Sequence, residues 1–271
     1  MMIEHAYSLC DAMELAQSGA LTLPAGTGLI YVGAYFCDHY FCHTPPAVWD
    51  ACFSLAQQHG CGAVLVVPTP SQTQLEAVKE TVLRLVRTYP DVLREIVLND
   101  YAMLLWAQET LPALPRWCGR TMSKDMRDPR YALPTQEVKL LRYAQDGALP
   151  GSPVIGVEAD LLSRPALPED RRLLLAAHVP LACVTMGRIC ELGSIGRPLH
   201  EKFRLTTRCR RQCTDNWLTY ENNGCTFLKY GRAVYTPNAQ VTALLPDRLV
   251  RVIHSALADH LPSPAGKGDT P

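Results

Sequence analysis

Short apolar runs alternate with helix-length amphipathic segments along most of the chain. That alternation predicts repeated βα units around a mostly parallel sheet. The run GLIYVGAYF (Gly28–Phe36) reads as the first strand, with a helix through Val48–Gln58 after it. Ala63–Val67 reads as the next strand, stopped by Pro68-Thr69-Pro70. In Gln72–Arg87, the residues Leu75, Val78, Val82, Leu83 and Val86 recur on one helical face. Glu95–Leu98 predicts a third strand running into Asn99-Asp100, and YAMLLWAQETL a helix behind it. Arg116–Gly119 predicts a fourth strand that opens into the charged loop TMSKDMRDPR, and Leu140–Tyr143 lies in a helical stretch. Further strands are expected at Val154–Val157 and Leu181–Thr185.

After Met186 the rhythm stops, and residues 186–235 are rich in Arg, Cys and Gly, as suits a site-forming segment. Pro246–His260 reads as a last amphipathic helix that closes the domain, and residues 261–271 as a disordered tail. The expected architecture is therefore an α/β fold: a TIM-barrel-like (β/α) barrel, complete or lacking some units. It forms a single domain over residues 1–260, with a C-terminal cysteine-rich cluster-binding segment at 186–235. Ligands of such folds sit at the carboxyl ends of the strands, so residues just after each strand are the first candidates for chemistry.

Length fits this reading, since 271 residues with 48% hydrophobic content suffice for one large domain. Charge narrows the partners: 26 basic residues balance 26 acidic ones, so no global field draws the chain to nucleic acid or an anionic membrane. Nucleic acid is accordingly not favoured. The first residues carry Glu4, His5, Asp11 and Glu14 in place of a basic-then-apolar leader, and no run approaches the roughly 20 apolar residues that span a bilayer. A cytoplasmic chain without membrane insertion is expected.

Eleven cysteines exceed what packing explains in a reducing compartment, which points to metal or redox chemistry rather than disulfides. Cys190 is followed by Cys209 after eighteen residues and by Cys213 after three more. Three thiolates so spaced can converge on one centre, either an iron-sulfur cluster or, as the less favoured alternative, zinc. Zinc ribbons favour repeated Cys-x2-Cys knuckles, and here one Cys-x3-Cys stands beside isolated cysteines. A fourth ligand is needed, for which Cys37 after the first predicted strand is the leading candidate, with Cys42 and Cys225 as alternatives. Arg188, Arg197, Lys202, Arg204, Arg208, Arg210 and Arg211 surround the segment and suit an anionic cluster.

Other candidates lie at strand ends. Asp100 and Glu158 are the candidate catalytic carboxylates, and Asn99 a substrate contact, although Asn99-Asp100 also has the form of a helix cap. Arg120 and Arg127, in the loop with Lys124 and Arg130, form a candidate anion grip for a small-molecule substrate. No Ser/His/Asp or Cys/His arrangement of recognisable spacing and no His-Glu-x-x-His speaks for a protease.

Several segments, in their order, resemble the peptidase U32 family, and within it the UbiV-type iron-sulfur proteins of oxygen-independent ubiquinone biosynthesis. They are IYVGAYFCD with Cys37, IVLNDYAMLLWA, VIGVEADLL, PLACVTMGRICELGS with Cys190, CRRQC with Cys209 and Cys213, and NNGCTFLKYGRAVYT. The resemblance spans roughly residues 28–238. It implies a 4Fe-4S cluster in an α/β barrel and hydroxylation without molecular oxygen, on a ubiquinone precursor or, in other branches, on a base of transfer or ribosomal RNA. It also implies a second U32-family protein as heterodimer partner, with this chain either a hydroxylase subunit or a non-catalytic partner whose cluster is structural.

Overall fold

The computed structural model describes residues 3–19, 21–123, 154–160, 174–204, 209–238 and 249–260. The expected helical stretch around Leu140–Tyr143, the loop residues Lys124, Arg127 and Arg130, Arg208 and the tail all lie outside these residues.

Eight parallel strands close into a barrel. In chain order they are β1 (Glu4–Ser8), β2 (Thr27–Gly33), β3 (Gly62–Val67), β4 (Leu93–Leu98), β5 (Arg116–Cys118), β6 (Val154–Ala159), β7 (Leu174–Val179) and β12 (Leu249–Ser255). Between β7 and β12 the chain builds a separate antiparallel sheet from β8 (Leu181–Met186), β9 (Leu218–Asn222), β10 (Cys225–Tyr230) and β11 (Ala233–Pro237), in the order β8-β11-β10-β9. Helices α1 (Asp38–His43), α2 (Pro46–Gln58), α3 (Leu75–Thr88) and α4 (Tyr101–Thr110) follow β2, β3 and β4, and α5 (Ala256–His260) follows β12.

This is the α/β barrel the alternation predicts, and three of its βα connections, after β2, β3 and β4, fall where expected. Three elements differ. The stretch Leu181–Thr185 is a strand, but of the antiparallel sheet, and the barrel strand before it is β7, LLAAHV, whose small alanines and single His gave no strong strand signal. The N-terminal residues, read only for what they exclude, form β1. Of the expected helix Pro246–His260, only Ala256–His260 is helical among the described residues: Leu249–Ser255 is the strand that closes the barrel between β7 and β1. Its core positions run in steps of two, Leu249, Arg251 and Ile253, and a charged residue among them disguises the alternation. Arg251 is tolerated there because Glu4, Glu95 and the Tyr31 hydroxyl take its guanidinium, which also lies over the Trp117 ring.

Two apolar layers result. One lies between strands and helices, with Ile30, Val32, Leu65, Phe53, Val82 and Met103 among its residues. The other fills the barrel with Tyr31, Val64, Val66, Val97, Trp117 and Ile253, and continues without a break onto Leu228, Tyr230 and Tyr235 of the antiparallel sheet. The second sheet is thus a lid packed on the carboxyl mouth of the barrel. It is formed by tight turns: Asn223-Gly224, both at positive φ, joins β9 to β10, and Gly231-Arg232, with Gly231 at φ 54°, joins β10 to β11.

At the end of β2, Gly33 has φ 122° and an added Cβ would overlap the backbone carbonyl oxygen of Val66 in β3. Gly33→Ala is expected to lower unfolding free energy by at least about 2 kcal/mol, combining a forbidden φ with a backbone clash. Urea denaturation followed by circular dichroism measures it, and an unchanged midpoint would refute it.

Candidate functional site

Because all eight barrel strands run parallel, their carboxyl ends share one rim. Asp11 lies just beyond β1, Cys37 beyond β2, Asn99 and Asp100 beyond β4, Arg120 beyond β5, Asp160 beyond β6, and β8 leads on from β7 through the cis Val179–Pro180 bond. The segment after β8 folds back across the rim in short 3-10 turns and carries Cys190, Cys209 and Cys213.

Four thiols from three distant stretches wall one cavity. Cys37, Cys190, Cys209 and Cys213 line a cleft of about 500 Å³ open to solvent, together with His39, Arg188, Arg204, Gln212 and Arg232. Cys42 and Cys225 do not line it: Cys42 packs against the outer apolar layer, and Cys225 is exposed at the start of β10. All eleven cysteines are free. Backbone N–H groups already point at three of the four sulfurs, Tyr40 N at Cys37 (3.4 Å), Gly193 N at Cys190 (3.2 Å) and Arg211 N at Cys209 (3.3 Å). Each of these three thiols therefore has a donor suited to a thiolate. Among the described residues no three His, Cys, Asp or Glu gather tightly about one point, so the thiols surround the cleft rather than meet.

Burial dominates the electrostatics of Cys37, Cys209 and Cys213. Burial pushes the Cys37 thiol up to about 12, and burial also raises Cys213, whose ionisation is opposed further by Cys37, Cys190 and Cys209. Cys209 is raised by burial and by Cys190, offset in part by the Arg211 N–H. Mutual opposition among buried thiols becomes attraction once a metal centre takes their protons' place.

A second, smaller chamber of about 240 Å³ lies beside the cleft and shares Cys37, Cys213, Gly231 and Arg232 with it. Its other walls are Asp11, Phe36, Tyr40, Tyr230 and Tyr235. Asp11 is a non-glycine residue at φ 64°, buried, and its carboxylate accepts the Tyr35 N–H at 3.2 Å. Burial pushes its carboxyl up to about 7 against that hydrogen bond and the field of Arg120. A strained backbone holding a buried acid at a chamber wall marks a site held for use rather than stability.

The remaining sequence-derived candidates are engaged by the fold. Asp100 caps α4, its carboxylate accepting from Ala102 N and Met103 N. Asn99 is buried and staples the rim, donating to the Val67 carbonyl at 3.0 Å and accepting from Thr121 N. Arg120, 5% exposed, grips Asp160 through Nε and Nη2, reaches the Leu181 carbonyl, and lies over the rings of Tyr35, Phe36 and Tyr235. Neither Asn99, Asp100 nor Arg120 lines the cleft or the chamber. Glu158 is fully buried inside the barrel, 3.2 Å from His178 Nε2. Asp11, Asp38, His178 and Arg232 were missed from sequence; only their positions after strands or in a Gly-containing turn could have drawn attention.

Against known proteins, no family model matches the chain, and no curated protein does either. A solved structure, that of the U32 peptidase Mk0906, is similar to it with a TM-score of 0.47 and 14% identity, over 94% of this chain and 93% of that one. The barrel itself stands on its own strand pairing.

Burial pushes the Glu158 carboxyl up to about 8, opposed by Arg120 and Arg251, so the folded state holds its proton through neutral pH. A carboxyl whose pKa is raised on folding costs stability as pH climbs from its unfolded value to its folded one. Glu158→Gln is therefore expected to gain stability over the wild type progressively from about pH 5 to pH 8 and no further above that. Urea unfolding of both proteins across this range tests it, and a constant difference would exclude a buried neutral acid.

Proposed function

We propose that the chain is an iron-sulfur protein of the kind its sequence resembles, with a 4Fe-4S cluster on Cys37, Cys190, Cys209 and Cys213. The observation that carries this reading is that four thiols outside any disulfide line one cleft at the barrel mouth, three of them with backbone N–H donors aimed at sulfur. The donor set fits the group: all-sulfur coordination suits iron-sulfur clusters, and hydrogen bonds to the sulfurs favour the charged ligand. When bound, the cluster supplies electron transfer at the mouth of the inner chamber.

The chain's own residues define the rest of the proposed site. A ring-containing substrate of the ubiquinone-precursor type, hydroxylated without molecular oxygen, would sit in the open cleft beside Phe36, Tyr40, Tyr230 and Tyr235, the inner chamber itself having room for about one water. Asp11, with its carboxyl near neutrality, holds or releases a proton toward that chamber. Glu158, hydrogen-bonded to His178, keeps a second proton in reserve deeper in the barrel. The lid excludes water from both.

A specific observation favours partnership as well. Among the described residues, eight of the eleven exposed large apolar side chains fall between residues 184 and 220, including Ile189, Ile195, Leu199, Phe203, Leu218 and Tyr220. A surface of this kind is commonly covered by another protein. That supports the reading of this chain as one member of a heterodimer with a second U32-family protein, either as a hydroxylase subunit or as a partner that supports one.

Anaerobic purification is expected to give brown protein with iron and acid-labile sulfide in equal amounts and visible absorbance that bleaches in air. Serine at Cys37, Cys190, Cys209 or Cys213 is expected to remove most of the iron, whereas Cys42→Ser and Cys225→Ser retain it. Colourless protein with one zinc per chain would reject the cluster, and iron lost from Cys225→Ser but kept in Cys37→Ser would reassign the fourth ligand.

A further inference from the structure

Arg232 sits in the two-residue turn between β10 and β11, at the place where the cleft and the inner chamber meet, and lines both. It is 8% exposed. One end of its guanidinium is fixed: Nη1 donates to Asp38 Oδ1 at 2.6 Å. Asp38 is fully buried and is itself held by the backbone N–H groups of His39 at 2.9 Å and Ser71 at 2.7 Å. The turn is fixed too, since the Arg232 carbonyl accepts from Gly187 N at 3.0 Å at the end of β8. A buried arginine so tightly held should satisfy all its donors, yet Nε–H is buried and meets no acceptor among the described residues. Besides Asp38, the groups whose charge acts most on Arg232 are Cys37 and Cys190, and its own charge reaches Cys209 and His39.

Resting on the cluster reading above, we infer that Arg232 is a positioning residue for the cluster's electronic state, its Nε–H donated to a sulfur at the Cys37 and Cys190 side of the bound group. The chemistry follows from the donor. Sulfur bound to iron is an acceptor and grows more negative on reduction, so a fixed cationic donor stabilises the reduced state more than the oxidised one and raises the reduction potential. The Asp38 anchor gives the donor its direction. It also prevents the side chain from swinging out to water, which a lone arginine would otherwise favour. Arginine is required rather than lysine because one guanidinium edge serves Asp38 while another nitrogen points elsewhere, a division an ammonium on a flexible stem does not make.

The test uses the anaerobically reconstituted protein with Arg232→Lys and Arg232→Gln, measuring iron and sulfide first and then the midpoint potential by dithionite titration followed by electron paramagnetic resonance. Both variants are expected to load the cluster and to be harder to reduce. A shift of about tenfold in the equilibrium, or about 59 mV for one electron, is expected. Wild-type protein that takes up no iron and sulfide would sink the cluster reading itself. Loaded variants with the wild-type potential would overturn the role of Arg232 while leaving the cluster in place. A wild-type potential in Arg232→Lys beside a lowered one in Arg232→Gln would reduce the effect to bare charge and overturn the directed hydrogen bond. Loss of iron from both variants would make Arg232 a clamp on the site's fold, which also overturns the inference.

Discussion

The ion pair of Arg120 with Asp160 is the joint on which the two sheets turn. Both partners leave the ends of barrel strands, and both bond to the start of β8: Arg120 to the Leu181 carbonyl and Asp160 to the Cys183 N–H at 2.9 Å. Taking two charges out of water costs several kcal/mol each, and such a pair is tolerable only when its remaining donors and acceptors are met. Here the lid supplies them, together with aromatic faces from Phe36 and Tyr235, so barrel and lid each complete the other's polar account. Everything at the mouth inherits its position from this joint, because β8 leads directly into the segment that carries Cys190.

Above that joint, polarity is arranged in two storeys. The lower one, inside the barrel, consists of paired or protonated groups: Glu158 with His178, and Arg251 with Glu4 and Glu95. The upper one, around the cleft, is left electrically open, with free thiols, three arginines on its walls and an acid near neutrality beyond. Stability is served by the first arrangement.

Sequence periodicity revealed the first half of the barrel because its strands are continuous apolar runs followed by helices with a clear face, as in Gly62–Val67 and Leu75–Thr88. It failed where polar residues point into the barrel. His178 hid β7, and Arg251 made β12 look helical, since a charge at an inward position is read as solvent-facing unless its partners are known. The cysteines were legible as a set because thiols in such number need a reason. What could not be read was which side chains the rim gathers from afar, such as Asp11 from β1 and Arg232 from a turn more than two hundred residues later. Nor could the sequence show that Arg120, expected as part of an anion grip, is held by Asp160.

Barrel closure has a consequence for how the chain comes into being. Strand β1 pairs on one side with β2, nearby in sequence, and on the other with β12, with Glu4 opposite Arg251. During synthesis from the N-terminus, the far edge of β1 has no neighbour until nearly the whole chain has emerged, and the loop to be closed is almost as long as the protein. Contacts of such sequence separation slow folding, and an unpaired edge in the meantime invites pairing with other nascent chains. The charged edge formed by Glu4 and, at last, Arg251 is then more than a stabilising contact. A charge on a waiting edge opposes its pairing with other chains, and Arg251, on the strand whose arrival ends the wait, is the residue that neutralises Glu4.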